Sequence, residues 1–117
     1  MNSMMAGLCC GEPCTISWDI INNFAGAFIA CSDDYAASGM RLLGMPQSGD
    51  ARIVSGESGA VTAGVLAALM QDPELAQLRN ELGLNENSRV LLISTEGATD
   101  KVNYLKVLSG KWKPENK

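Results

Sequence analysis

The sequence predicts an α/β fold of two or three parallel strands with four or five helices, on three observations. First, the β-branched pair Ile53-Val54 runs straight into Ser55-Gly56-Glu57-Ser58-Gly59, and a helical pattern begins at once. That is strand–loop–helix grammar, in which the loop and the first backbone N–H groups of the helix face one point. Second, the pattern recurs: Val90-Leu91-Leu92-Ile93 reads as a buried strand, and Ser94-Thr95-Glu96-Gly97-Ala98-Thr99 follows it. Third, roughly thirty-five residues of helical periodicity separate the two strands. A crossover of that length returns the chain parallel to itself.

Parallel strands deliver both hydroxyl-and-glycine loops to one carboxyl edge of the sheet, where open α/β sheets bind ligands. Ser55, Glu57 and Ser58 offer polar groups there, and Gly56 and Gly59 allow close backbone approach. Turn and helix-cap chemistry favours the same residue types, so the loops alone leave both readings open.

Composition narrows the classes. The chain of 117 residues is 46% apolar but only 5% aromatic, which predicts one small domain with an aliphatic, Ala- and Met-rich core. A net charge of −4 and a pI near 4.6 leave no basic patch for nucleic acid. No apolar run reaches membrane-span length and no signal-peptide pattern opens the chain, so no membrane association and a cytoplasmic location are expected. Cys9, Cys10, Cys14 and Cys31 lack structural-zinc spacing and are expected to be free thiols. Histidine is absent, which removes Ser–His and Cys–His catalysis and imidazole metal sites. All five lysines (Lys101, Lys106, Lys111, Lys113 and Lys117) fall near the C-terminal end, so none precedes Lys101.

In chain order, residues 1–10 are ambiguous between strand and loop, with residues 4–9 the candidate third strand. Pro13 suits a first helical turn, and Ile16, Ile20, Phe24 and Phe28 recur every four residues, predicting an amphipathic helix to about Cys31. Asp33 and Asp34 begin a second helix that Gly44 and Pro46 stop. Residues 60–70 are apolar nearly all round and predict a helix packed on most of its surface. Asp72-Pro73-Glu74 opens another, closed by Gly83, and a short helix is expected near residues 102–108. The expected organisation is a single partial α/β domain over residues 1–110 and a polar tail over 111–117. Two or three strands are too little sheet for so much apolar helix, which suggests one end of a larger α/β domain.

At Met5-Ala6-Gly7-Leu8-Cys9-Cys10-Gly11-Glu12-Pro13, Ser55-Gly56-Glu57-Ser58-Gly59-Ala60-Val61 and Leu91-Leu92-Ile93-Ser94-Thr95-Glu96-Gly97, the chain resembles the C-terminal part of diaminopropionate ammonia-lyase. That family consists of pyridoxal-phosphate enzymes with the tryptophan-synthase-β-like fold (fold type II). The likeness runs over most of this chain but over only the last quarter to third of a family member. It implies a lyase that converts 2,3-diaminopropionate to pyruvate and ammonia with pyridoxal phosphate as cofactor. It implies that Ser94 meets the pyridine nitrogen, that Glu57 lies near the ring with Gly56 and Ser58 beside it, and that the Gly7-Leu8 backbone sits against the cofactor. The Schiff-base lysine, the phosphate loop and the acid/base aspartates belong to the family's N-terminal part. The resemblance therefore implies a chain inactive alone and an N-terminal complementing segment as partner. Assembly as a homo-oligomer is expected separately, because so little sheet leaves part of the residue 60–70 helix or of the stripe over residues 16–28 uncovered. Two other readings remain at this point: a free-standing module that binds an anionic ligand at the two Ser/Gly loops, and a non-catalytic, self-associating remnant.

Overall fold

Helix α3, Glu57–Gln71, is the element on which two other helices and two 3₁₀ turns pack, and the computed structural model describes it within residues 3–114. Residues 1, 2 and 115–117 lie outside the described range, and with them the start of the N-terminal segment and Lys117 of the expected tail. The apolar composition of α3 predicts burial, and its first two turns are buried from Glu57 through Gly64 apart from Thr62.

Helix α2, Asp33–Gly44, lies against α3. The two backbones meet at glycines. A Cβ on Gly39 would run into the Ala60 carbonyl oxygen, and one on Gly64 into the Tyr35 carbonyl oxygen, so side chains at these positions would force the helices apart. Asp33 and Asp34 occupy the first turn of α2, and the Asp33 carboxylate also ties down the N-terminal segment. It accepts from Ser3 Oγ at 2.5 Å and from the Met4 backbone N–H at 2.9 Å.

Helix α5, Lys101–Leu108, also packs against α2. Arg41 Nε donates to the Val107 carbonyl at 2.8 Å, and Met40, Ala37, Ala60, Tyr104 and Val107 form one buried cluster. Met5, Ala36 and Val61 form a second. The core is aliphatic and small-residue-rich, as the composition predicts. Trp112 packs against the first cluster, although it lies within the stretch expected to be tail.

Asp72 caps the 3₁₀ turn Pro73–Leu75, which leads into α4, Ala76–Glu81, and Gly83 (φ 68°) follows with the positive φ of a helix stop.

Helix α1, Thr15–Phe24, is shorter than the four-residue periodicity predicts: the chain leaves the helix at Ala25, before Gly26 and Phe28. Among the described residues α1 packs against no other helix and has no buried residue. A short helix without a packed face has little to extend it through a glycine.

The expected parallel strands are not formed among the described residues. Residues 51–56 and 89–98 are neither helical nor paired as a ladder. A strand is held by backbone bonds to a neighbour, and a pair of segments without further strands is marginal. Here Ile53 N–H donates to the Leu43 carbonyl at 3.0 Å, and one backbone bond, Gly56 N–H to the Glu96 carbonyl at 3.1 Å, joins the two segments. Ile53, Val54 and residues 90–93 are exposed instead of buried in a sheet. The candidate third strand at residues 4–9 is also absent, replaced by the 3₁₀ turn Ala6–Leu8.

Candidate functional site

The two Ser/Gly loops meet even without a ladder between their approaches. Glu96 does most of the joining. Its backbone carbonyl accepts from Gly56 N–H, and its Oε1 accepts from Ser58 N–H at 2.6 Å. A carboxylate placed there also meets the positive end of α3. This remote cap draws Glu57, Ser58 and Gly59 into the first turn of α3, three residues before the predicted helix start.

Behind Glu96 the hydroxyls of Ser55 and Ser94 approach to 2.7 Å. Ser55 is 1% exposed, whereas Ser94 is exposed on its other side and lies 3.3 Å from the Glu96 carbonyl. Gly59 leaves room for this contact: a Cβ there would lie 2.6 Å from Ser55 Oγ and 2.9 Å from Ser94 Oγ. Gly56 is similarly confined, since a Cβ on it would strike the Gly97 carbonyl oxygen.

Glu57 is buried, and its Oε1 accepts from Asn103 Nδ2 on α5 at 2.6 Å. Ser58 Oγ is buried without a hydrogen-bond partner. Gly7 sits over it, with a Cβ there falling 3.1 Å from that oxygen. Leu8 is exposed beside this contact.

The predicted site residues thus divide into two groups. Gly7, Leu8 and Glu57 line an open cavity of about 1310 Å³, together with Glu96, Asn103 and apolar side chains such as Val61. Ser94, Gly56 and Ser58 belong to the interlocked loops next to it and are not part of that wall. Three contributors escaped sequence reasoning. Ser55 reads in the sequence as one of several loop polar groups with no sign that it pairs with Ser94. Glu96 reads as an acidic loop residue, and Asn103 carries no signal because its partner is 46 positions away.

The cavity wall also includes Cys31, whose thiol pKa is raised by burial and by the charge of Asp33. Exposed Cys14 is shifted the other way by hydrogen bonding from Ser17. All four cysteines are free thiols, and among the described residues no cluster of three or more Cys, Asp or Glu side chains could hold a metal ion. No described helix is long and apolar enough to cross a membrane.

Two hydroxyl-bearing loops thus meet at the start of a buried helix, and the solved structures that the chain resembles are those of a fold type II pyridoxal-phosphate enzyme. The chain is homologous to the C-terminal part of diaminopropionate ammonia-lyase. It is 52% identical over 108 residues to that enzyme from Escherichia coli strain K12, a match that covers 92% of this chain and 27% of the relative. The Salmonella typhimurium LT2 enzyme is 48% identical over 105 residues, covering 89% and 26%. Solved structures agree. The Escherichia coli enzyme in complex with an aminoacrylate–PLP azomethine reaction intermediate superposes with a TM-score of 0.88 at 51% identity, covering 95% of this chain and 29% of that one. Its apo form gives 0.79 at 50% identity over 85% and 28%. No family model matches the chain. The chain therefore spans about a quarter of the length of the curated relatives it matches.

Proposed function

We propose that this chain supplies the ring-side wall of a pyridoxal-phosphate site in a lyase acting on 2,3-diaminopropionate, and that it is not catalytic alone. The observation that carries the reading is Ser94: an exposed hydroxyl, backed by a buried one, beside a cavity that Glu57 and Gly7 line. A neutral hydroxyl suits a pyridine nitrogen because it can donate or accept. The orphaned Ser58 Oγ under Gly7 is a second polar atom with unused bonding capacity beside the same cavity. The residues present therefore fit the ring of the cofactor.

When bound, the cofactor supplies an electron sink that makes loss of the substrate's amino groups feasible. The chain's own residues do simpler work. Ser94 would hold the ring nitrogen, the Gly7-Leu8 backbone would border the site, and Asn103 holds the Glu57 carboxyl that would lie near the ring. Covalent attachment of the cofactor needs a buried, activated lysine. Lys101, Lys106, Lys111 and Lys113 are all exposed, so that lysine comes from a complementing segment. The bare extended residues 90–93 and the apolar cavity wall are the surfaces such a segment covers. Homo-oligomeric assembly and a cytoplasmic location complete this reading.

The anion-binding alternative is not favoured. Glu96 already takes the Ser58 N–H at the positive end of α3, so an anion would face that carboxylate and the carboxyl of Glu57.

The test is a graft in which this chain replaces the matched stretch of the Escherichia coli enzyme. Pyruvate release from 2,3-diaminopropionate is expected to persist. Ser94→Ala should lower turnover by roughly a factor of ten or more, far more than Thr95→Ala, because a contact to the ring strengthens as charge develops. Equal, small effects of the two substitutions would remove Ser94 from this role.

A further inference from the structure

We infer that Ser55 is the positioning residue for Ser94: a hydroxyl sealed from water that fixes the direction in which the Ser94 hydroxyl faces the site. The inference rests on the proposed ring-nitrogen role of Ser94 and adds a residue to it. Three observations carry it. Ser55 is among the most deeply buried side chains in the chain, yet it is polar. Its Oγ lies 2.7 Å from Ser94 Oγ, whereas its other bonding partner, the Gly56 carbonyl, is at 3.4 Å. The third is that the residue under both hydroxyls is glycine, and a methyl group at Gly59 would reach 2.6 Å from one oxygen and 2.9 Å from the other.

Without Ser55, Ser94 is an exposed serine on a loop, held only by a long bond of 3.3 Å to the Glu96 carbonyl. Exposed side chains hop between staggered rotamers in picoseconds to nanoseconds. With it, one lone pair or the proton of Ser94 is engaged by a buried partner at 2.7 Å, while the serine keeps an exposed side. The pair also works in both senses. When Ser55 donates to Ser94, the Ser94 proton, which otherwise reaches the Glu96 carbonyl at 3.3 Å, can turn to an unprotonated ring nitrogen. When Ser94 donates to Ser55, and Ser55 to the Gly56 carbonyl, Ser94 accepts from a protonated one. A buried alanine could do neither, and a buried hydroxyl with no task costs stability.

The experiment uses the isolated full chain, isotope-labelled, with Ser55→Ala and the near-isosteric Ser55→Cys. Three-bond couplings from the Ser94 β-protons to its backbone nitrogen and carbonyl report its χ1 rotamer. The expected result is single-rotamer couplings in the parent and a shift towards averaged values in Ser55→Ala, with Ser55→Cys between them. The amide resonances of Gly56 and Ser58, both bonded to Glu96, should stay in place. Parent-like Ser94 couplings in Ser55→Ala would overturn the inference. So would loss of the Gly56 and Ser58 signals, or failure of both variants to fold, since Ser55 would then be a structural staple. The ring-site reading fails separately: Ser94→Ala without effect in the grafted enzyme sinks that reading but leaves the coupling result intact.

Discussion

Asn103 Nδ2 on α5 donates to Glu57 Oε1 on α3 at 2.6 Å, joining the first turns of two helices whose residues are 46 apart in sequence. The bond gives a buried carboxyl its hydrogen-bond partner among the described side chains and sets its direction along the cavity wall. The backbone of Asn103 is held independently, because its N–H donates to the capping Asp100 Oδ1 at 2.9 Å. Removing the amide therefore tests the contact without unwinding α5. Asn103→Ala should destabilise the chain by about 1–3 kcal/mol, the usual cost of leaving a buried acceptor unsatisfied. Urea unfolding followed by circular dichroism measures it; an unchanged midpoint would mean that water replaces the amide and that Glu57 is not fixed from α5.

The α2–α3 contact makes a second prediction. Gly64→Ala places a methyl group on the Tyr35 carbonyl, a backbone atom that cannot swing aside as a side chain tip can. Overpacking of this kind costs about 1–3 kcal/mol or more, although alanine favours helix over glycine by up to about 1 kcal/mol. The net effect should be a lower thermal midpoint. Gly83→Ala, at an exposed positive-φ turn with open space around it, provides the contrast: a smaller loss from backbone strain alone.

Helix limits that rest on local chemistry were legible in the sequence. Asp33, Asp34 and Gly44 bracket α2 as expected, and Asp72 and Gly83 bracket the stretch containing α4. Limits set by remote groups were not. Helix α3 begins at Glu57 because Glu96 caps it from another loop, and Ser-Gly-Glu-Ser-Gly resembles ordinary turn chemistry when read locally. The four-residue stripe in α1 predicted a longer helix, but nothing packs against that stripe to carry it past Ala25 and Gly26. The strand expectation failed to appear as a ladder for the same reason. Residues 53–54 and 90–93 have strand composition, and composition does not provide a neighbour. Of the site, the loop residues were legible by type, and their pairing became visible only once Ser55 and Ser94 were in contact.

The cysteines should separate by reactivity, since the thiolate is the nucleophile. Hydrogen bonding from Ser17 lowers the Cys14 pKa and raises its thiolate fraction near neutral pH. Burial, reinforced by Asp33, raises that of Cys31 and lowers its fraction. Brief treatment with iodoacetamide followed by peptide mass spectrometry should find Cys14 modified well before Cys31, with the gap narrowing as pH rises and Cys31 ionises. Equal rates at neutral pH would contradict both environments.

The lysine distribution predicts what the chain does with free cofactor. The burial that makes a lysine nucleophilic is absent at Lys101, Lys106, Lys111 and Lys113, which are all exposed. Mixing the chain with pyridoxal phosphate and reducing with borohydride should give only scattered, substoichiometric labelling. One lysine labelled stoichiometrically, with a defined absorbance band, would show that the chain carries its own attachment site.

The last prediction concerns α1. Ile16 is 88% exposed and Phe24 83%, with Ile20 between them on the same stripe, one turn from each. Helix α3 is also strongly apolar, but it is buried against α2 over its first turns, which leaves α1 as the helix that packs against no other among the described residues. Apolar patches beyond a few hundred Å² are rare on monomeric proteins and mark contacts or aggregation liabilities. The purified chain should therefore scatter light as a species larger than a monomer, or bind a hydrophobic dye strongly. Ile20→Glu with Phe24→Glu should abolish that behaviour without lowering the thermal midpoint, because neither side chain contributes to the core. The same double substitution placed on α3, for example at Val61 and Leu69, should unfold the chain, since both are buried. A parent chain that is a monodisperse monomer with weak dye binding would show that the α1 stripe is tolerated in water and drives no assembly.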